Sequence, residues 1–195
     1  MVKSRPRITL YEDLNCPFCY ALTEMLEEHD LLRNLAWRGV EHAPDAPTPW
    51  VEPGPVLKRA LVGEVGAVRR RAPQLTLVNP FGQPNTGYAI ASVARAFKKN
   101  ENAALALRSR IKRAFFRENL DISSPELIDR LQRSVALEPS APDRETADEI
   151  RSWHAAWSAM SPRMIPTLVG PDGKVRPGLG DPGDALEFVR SYESK

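Results

Sequence analysis

Along the first segment, Ile8, Leu10 and Glu12 alternate with Thr9, Tyr11 and Asp13, a period of two that predicts a strand over Arg7 to Asp13. Asn15 is an N-cap type of residue, and Pro17 suits the first position of a helix, where its missing N–H costs nothing. The helix should run to about His29, because Leu22, Met25 and Leu26 keep three-to-four spacing while Glu24, Glu27 and Glu28 are left for water. Leu35 to Glu41 again predicts a strand, and the three pieces are compatible with a parallel crossover. From Pro44 to Pro55 prolines remove backbone donors and stop both helices and central strands, which marks a boundary. Beyond it helical spacing takes over, with candidate helices at Val56 to Arg71, Thr86 to Lys99, Ala103 to Glu118, Pro125 to Leu137 and Thr146 to Met160. Three carry apolar stripes: Ile90, Val93, Ala94 and Phe97; Ala104, Leu107, Ile111, Ala114 and Phe115; and Ile150, Trp153, His154 and Trp157. Ser124-Pro125-Glu126 looks like a capped start, and Thr146 to Glu149 fits a capping box. After Met160 the pattern reverts. Ile165 to Val169 is β-prone, Pro171-Asp172-Gly173 has turn chemistry, Lys174 to Arg176 is a returning strand, and a last helix with Leu186, Phe188 and Val189 starts behind Asp181-Pro182. An α/β core formed from 1–43 and 161–195, interrupted by an all-helical insertion at 44–160, accounts for this order.

At 195 residues the chain can bury a core without staples. Its formal net charge of +2, from 27 basic and 25 acidic side chains, gives no field that would draw nucleic acid or an anionic membrane. The runs Arg69-Arg70-Arg71 and Arg108, Arg110, Lys112, Arg113 are read as solvated helix faces. The start, Met1 to Arg7, is basic, but Glu12 and Asp13 stand where a secretory apolar region would continue, and no apolar run has the length to cross a bilayer. The expectation is a cytoplasmic protein, with neither nucleic acid nor membrane as partner. In that setting its 2 cysteines, Cys16 and Cys19, favour a redox or metal pair over a structural staple.

The thiolate, not the thiol, attacks a disulfide, so a redox cysteine needs a lowered pKa and access to solvent. A sulfur at a helix N-terminus gains both from the unpaired amides and the helix dipole. Cys16 is therefore the candidate nucleophile. Cys19 lies one turn on, on the same side, as the less exposed resolving thiol. A zinc site would need about four N or S ligands, and His29, His42 and His154 have no ligand-like spacing to the pair, so no metal is expected. His154 reads as a packed or edge histidine, and Gly178-Leu179-Gly180-Asp181 as a plain loop and N-cap.

A strand, CPxC opening a helix, and a distant Ile165-Pro166-Thr167 leading into a hairpin together resemble the thioredoxin superfamily. The long insertion resembles its DsbA-like branch, and Pro84-Asn85-Thr86, Ala114-Phe115-Phe116 and Asp121-Ile122-Ser123 resemble the FrnE and 2-hydroxychromene-2-carboxylate isomerase group. The resemblance covers nearly the whole chain. It implies a thioredoxin-like α/β fold with a large all-helical insertion, a cis bond before Pro166, and a substrate strand meeting the Ile165 backbone across from Cys16, beside Pro17 and Phe18. Isomerase and kappa-class glutathione transferase relatives usually carry serine where Cys16 stands, so the cysteine pair argues for electron exchange. Many thioredoxin-like enzymes place a buried carboxylate six positions before the nucleophile. Here that position is Leu10, which leaves Glu12, Asp13 or water to serve Cys19, with exposed strand-end carboxylates as the plainer reading of the two acids.

The expected activity is exchange of two electrons with protein or small-molecule disulfides. It needs a redox-active Cys16–Cys19 disulfide, no bound cofactor, and leaves glutathione open as a co-substrate. The alternatives are a glutathione-dependent isomerase or transferase using the same cleft and a binding module without turnover. Oligomeric state, direction and recycling partner are not specified by the sequence.

Overall fold

The computed structural model describes residues 7–140 and 143–193; the basic start at 1–6 lies outside them. Strand β1 (Ile8–Glu12) is followed by helix α1 (Pro17–Glu28), a short 3-10 turn (Leu32–Asn34) and strand β2 (Leu35–Gly39). Five helices come next: α2 (Pro55–Arg71), α3 (Gly87–Lys99), α4 (Glu101–Phe116), α5 (Pro125–Arg133) and α6 (Arg144–Ser158). Strands β3 (Thr167–Val169) and β4 (Val175–Pro177) and helix α7 (Pro182–Arg190) close the chain. The strands form one sheet in the order β2-β1-β3-β4, with β1 parallel to β2 and antiparallel to β3, and β3 antiparallel to β4.

β1 is a central strand, covered on both sides. Ile8, Leu10, Tyr11 and Glu12 are all buried, so Glu12 shares the inward face of Ile8 and Leu10 instead of ending an exposed strand. α1 lies against α2, α4 and α7, and Tyr20 stacks on Phe116 of α4 at 4.8 Å between ring centroids. Leu22 and Leu26 are fully buried on that helix; burying one such side chain is worth roughly 1.5–3 kcal/mol. α3 and α6 lie against β2, where Trp37 meets Phe97 and Trp153.

The apolar stripes of α3 and α4 face this core, and the helix starts at Pro17, Pro55, Pro125 and Pro182 follow the prolines. Several expected ends move. β2 stops at Gly39, two residues before Glu41, and the returning hairpin strand is Val175–Pro177. α5 stops at Arg133 because Ala136 takes a left-handed φ of 59° and the Leu137 N–H turns back to the Gln132 carbonyl at 3.0 Å, a helix-ending bond. α6 starts earlier than its capping-box signal: Asp143, not Thr146, is the N-cap, accepting from the Thr146 N–H at 2.6 Å.

Candidate active site

The end of β1 and the start of α1 form the centre of the site. Asn15 does not cap α1 as expected; its side-chain N–H donates to the Pro84 carbonyl at 2.8 Å, tying this turn to the segment before α3. Cys16 itself is the N-cap, in extended backbone conformation, with Pro17 at the first helical position. Its sulfur therefore stands where a capping oxygen normally stands, facing the open amides of the first turn. The sulfur falls short of a full capping hydrogen bond, yet the Cys19 N–H still favours its ionised form. Both cysteines are free thiols. Cys16 is only 5% exposed, more enclosed than the access argument required, and Cys19 is fully buried.

The two sulfurs are pushed apart in acidity. Burial alone would raise Cys16, but the hydrogen bond from the Cys19 thiol, the charge of His42 and the Cys19 N–H together bring it below the ordinary thiol value. Burial pushes Cys19 well up, and its role as donor to Cys16 and the nearby Cys16 and Glu12 charges add to that. Of the two sulfurs, Cys16 thus gives up its proton the more readily and Cys19 the less.

Beneath Cys19 lies a charged cluster with no exposure to solvent. Glu12 accepts from Trp37 Nε1 at 2.7 Å, from Lys112 Nζ at 2.6 Å and from Arg108 Nε. Lys112 also donates to the Thr23 hydroxyl at 2.6 Å and to the Cys19 carbonyl at 3.2 Å, and Arg108 donates to Thr23 at 2.9 Å. Burial would raise the Glu12 carboxyl, but Arg108 and Lys112 hold it down at about 2. Burial lowers Lys112 in turn, although Glu12 opposes the shift. The reading of Arg108 and Lys112 as part of a solvated face is corrected here: both are fully buried because Glu12 neutralises one of them and hydrogen-bonds both. The reading of Glu12 and Asp13 as exposed strand-end acids is corrected with it.

Asp13 organises the other side. Its Oδ1 accepts from the Leu14 N–H and from the Thr86 hydroxyl, each at 2.7 Å; its Oδ2 accepts from the His42 N–H at 2.8 Å and lies 2.7 Å from His42 Nδ1. Burial would lower the imidazole, but the Asp13 carboxylate, with Cys16 and Glu64, pushes it up to about 9. Glu12 stays ionised beside its two cations, and the two acids hold Lys112 and His42 in place.

In the sequence Cys16 and Cys19 go together with Glu12 and Asp13, while Pro84-Asn85-Thr86 carries a family likeness without a task. Thr86 and Pro84 turn out to grip Asp13 and Asn15. His42, Arg108 and Lys112 were missed. For the last two a signal existed: positions 108 and 112 lie on the same helix face as Ala104, Leu107, Ile111 and Phe115, so the stripe itself put them inward. No spacing pointed to His42.

Pro17 is buried, and Phe18 is half-buried with the Arg71 guanidinium 5.7 Å above its ring. The Ile165–Pro166 bond is cis. Tyr11 pairs with Thr167, so Pro166 leaves the sheet at the same edge as Asp13. The Met164 carbonyl accepts from Trp157 Nε1 and from the Thr167 hydroxyl, each at 2.8 Å, and the Pro166 carbonyl accepts from the Gly178 N–H at 2.7 Å, which fixes this loop. A cavity of about 360 Å³ opens beside His42, walled by Val51, Leu57 and the prolines of the 44–53 stretch. A larger one of about 420 Å³ lies along α1; neither cavity is lined by Cys16 or Cys19. Among the described residues no group of three or more His, Cys, Asp or Glu side chains is arranged to hold a metal, and no helix is long and apolar enough to cross a membrane.

No family model and no curated protein matches the chain by sequence. Solved structures do match by shape. The cytosolic disulfide reductase DsbM from Pseudomonas aeruginosa with GSH superposes with a TM-score of 0.74 at 14% identity, covering 97% of this chain and 100% of that one. The fold is thioredoxin-like, with a helical insertion. A putative protein disulfide isomerase from Nitrosomonas europaea matches at a TM-score of 0.71 and 14% identity, over 96% of this chain and 100% of that one. 2-Hydroxychromene-2-carboxylate isomerase matches at 0.70 and 17%, over 97% and 95%. Helices α2 to α6 lie along the chain between β2 and β3.

Proposed function

We propose that the chain is a thiol–disulfide oxidoreductase of cytoplasmic type, acting on disulfide-containing proteins or small thiols, with Cys16 as nucleophile and Cys19 as resolving thiol. The observation that carries this reading is the opposite shift of two adjacent sulfurs, one lowered at the N-cap of α1 and one raised beneath it. The Cys16 thiolate attacks a substrate disulfide, forming a Cys16–substrate disulfide and releasing one substrate thiolate. Cys19 then gives up its proton and attacks the Cys16 sulfur, releasing the second thiolate and leaving a Cys16–Cys19 disulfide, so two electrons pass to the substrate. A pair of glutathione molecules, or another dithiol, returns the enzyme to the reduced state; that the similar DsbM was solved with GSH supports glutathione as this co-substrate.

The Ile165 N–H and carbonyl have no hydrogen-bond partner among the described residues, which suits them to pair with an extended substrate strand beside Pro17 and Phe18, with Pro166 setting the loop. The same proposal takes 1–43 and 161–195 as a discontinuous core and 44–160 as an inserted domain shaping the cleft. Insulin reduction by wild type, Cys16→Ser and Cys19→Ala tests it. Activity should vanish in Cys16→Ser, and Cys19→Ala should accumulate mixed disulfides; undiminished turnover by Cys16→Ser, or glutathione-dependent isomerisation without disulfide reduction, would reject it.

A further inference from the structure

Between β4 and α7 the chain runs through Gly178-Leu179-Gly180-Asp181, by sequence a plain loop and N-cap. In the structure its carbonyls are gathered onto one side chain. Arg176 of β4, paired with Leu168 of β3, donates from Nη1 to the Gly178 carbonyl at 3.0 Å, and from Nη2 to the Leu179 and Asp181 carbonyls at 2.8 and 2.9 Å. Bringing three oxygens to one point takes left-handed backbone at two places, a φ of 72° at Gly178 and of 56° at Gly180, which glycine adopts without strain. A Cβ at Gly180 would lie 3.1 Å from Arg176 Nη2, so loop and guanidinium are in close contact. A planar fork of fixed donors suits this task, whereas a lysine ammonium presents a single point. Arg176 is half-buried, and the charges of Asp181 and Asp184 offset part of that burial.

The loop so held supports another. The Gly178 N–H donates to the Pro166 carbonyl at 2.7 Å, and a Cβ at Gly178 would meet the Met164 methyl at 3.3 Å, so Gly178 adjoins the residues on both sides of Ile165. Trp157 Nε1 holds the Met164 carbonyl from α6. We propose that Arg176 is a positioning residue for substrate binding: through the Gly178 N–H it sets where the Pro166 carbonyl stands, and with it the line along which the Ile165 backbone meets a substrate strand. This rests on the reading of the Ile165–Pro166 loop as a strand-pairing site. The hydrogen bonds of Arg176 run to the 178–181 loop and not to a cysteine. Its loss should therefore weaken the capture of peptide substrates and leave the sulfur chemistry alone.

The test compares wild type, Arg176→Lys and Arg176→Met in reducing an extended peptide disulfide and hydroxyethyl disulfide, which has no peptide backbone to pair with Ile165. For the peptide, KM should rise about tenfold in Arg176→Met and less in Arg176→Lys, with kcat nearly constant, the effect of weakening the one or two backbone hydrogen bonds that Ile165 can make. Toward hydroxyethyl disulfide, and in alkylation of Cys16 by iodoacetamide, the three proteins should agree. An unchanged peptide KM, or an equal loss toward both disulfides, would overturn the proposal, and Arg176→Lys decides alone if Arg176→Met does not fold. The peptide Kd, measured on the same proteins with both cysteines replaced by serine, should weaken in parallel even if wild type reduces neither disulfide, which is how a failure of the exchange reading would differ. A Kd indifferent to position 176 counts against the proposal. Pro166→Ala isolates the loop reading: a peptide KM raised by Pro166→Ala but not by Arg176→Lys rejects the role of Arg176 alone, and a KM changed by neither rejects the loop reading with it.

Discussion

Glu12 shows what a single residue contributes here. It is surrounded by two cations, a tryptophan N–H and a hydroxyl, and replacing it by glutamine leaves Arg108 and Lys112 buried without their anion. Breaking a buried ion pair from one side costs roughly 3–5 kcal/mol, so Glu12→Gln should lower the urea midpoint by a corresponding amount while leaving the slope unchanged. The pH dependence follows from the same residues. Glu12 is depressed from 4.5 to about 2, so its contribution, on the order of 3 kcal/mol, is complete above 4.5 and disappears as pH falls toward 2. His42 is raised from 6.5 to about 9, so its contribution is complete below 6.5 and disappears as pH rises through 9. Urea unfolding of the reduced protein across pH should therefore show greatest stability between about 4.5 and 6.5; a maximum above pH 9 would contradict the His42 assignment, and stability undiminished down to pH 2 the Glu12 assignment. At this scale the cysteines were legible because spacing and a following proline are local signals. His42 was not, because its task depends on a carboxylate 29 positions away in sequence.

Among the elements, starts were easier to read than ends. Proline at the first helical position is an unambiguous local mark, whereas the end of α5 depends on Ala136 turning left-handed, which no residue type announces. The start of α6 was misread because Thr146 has the chemistry of a cap, but it lies buried inside the helix and is the residue being capped. Asp143→Ala should therefore cost about 1 kcal/mol in thermal or urea unfolding, an effect that a cap at Thr146 would not give. β2 has its own constraint at Gly39. A Cβ there would meet Trp37 at 2.5 Å and Ile90 at 2.7 Å, so Gly39→Ala must displace the indole that donates to Glu12. Overpacking of this kind costs roughly 1–3 kcal/mol, and the shift in Tm should be accompanied by altered tryptophan fluorescence.

Across the whole molecule, the sheet joins the two ends of the chain and the helices between them return to the site through α4 and the segment before α3. Hydrophobic periodicity conveyed that plan, because stripes at helical and strand spacing respond to one shared core. It did not convey the polar layer under the cysteines, where Glu12, Thr23, Arg108 and Lys112 meet from three elements and each looks, by itself, like a surface residue. That layer and the Asp13–His42 pair surround a single chemical asymmetry between two thiols. The most direct test is to add one equivalent of a peptide disulfide to the reduced Cys19→Ala and Cys16→Ala proteins near neutral pH, quench with acid, and measure the rate and site of adduct formation by mass spectrometry. Cys16 should capture the peptide rapidly and Cys19 hardly at all. Equal rates at the two sulfurs, or faster capture by Cys19, would contradict the account.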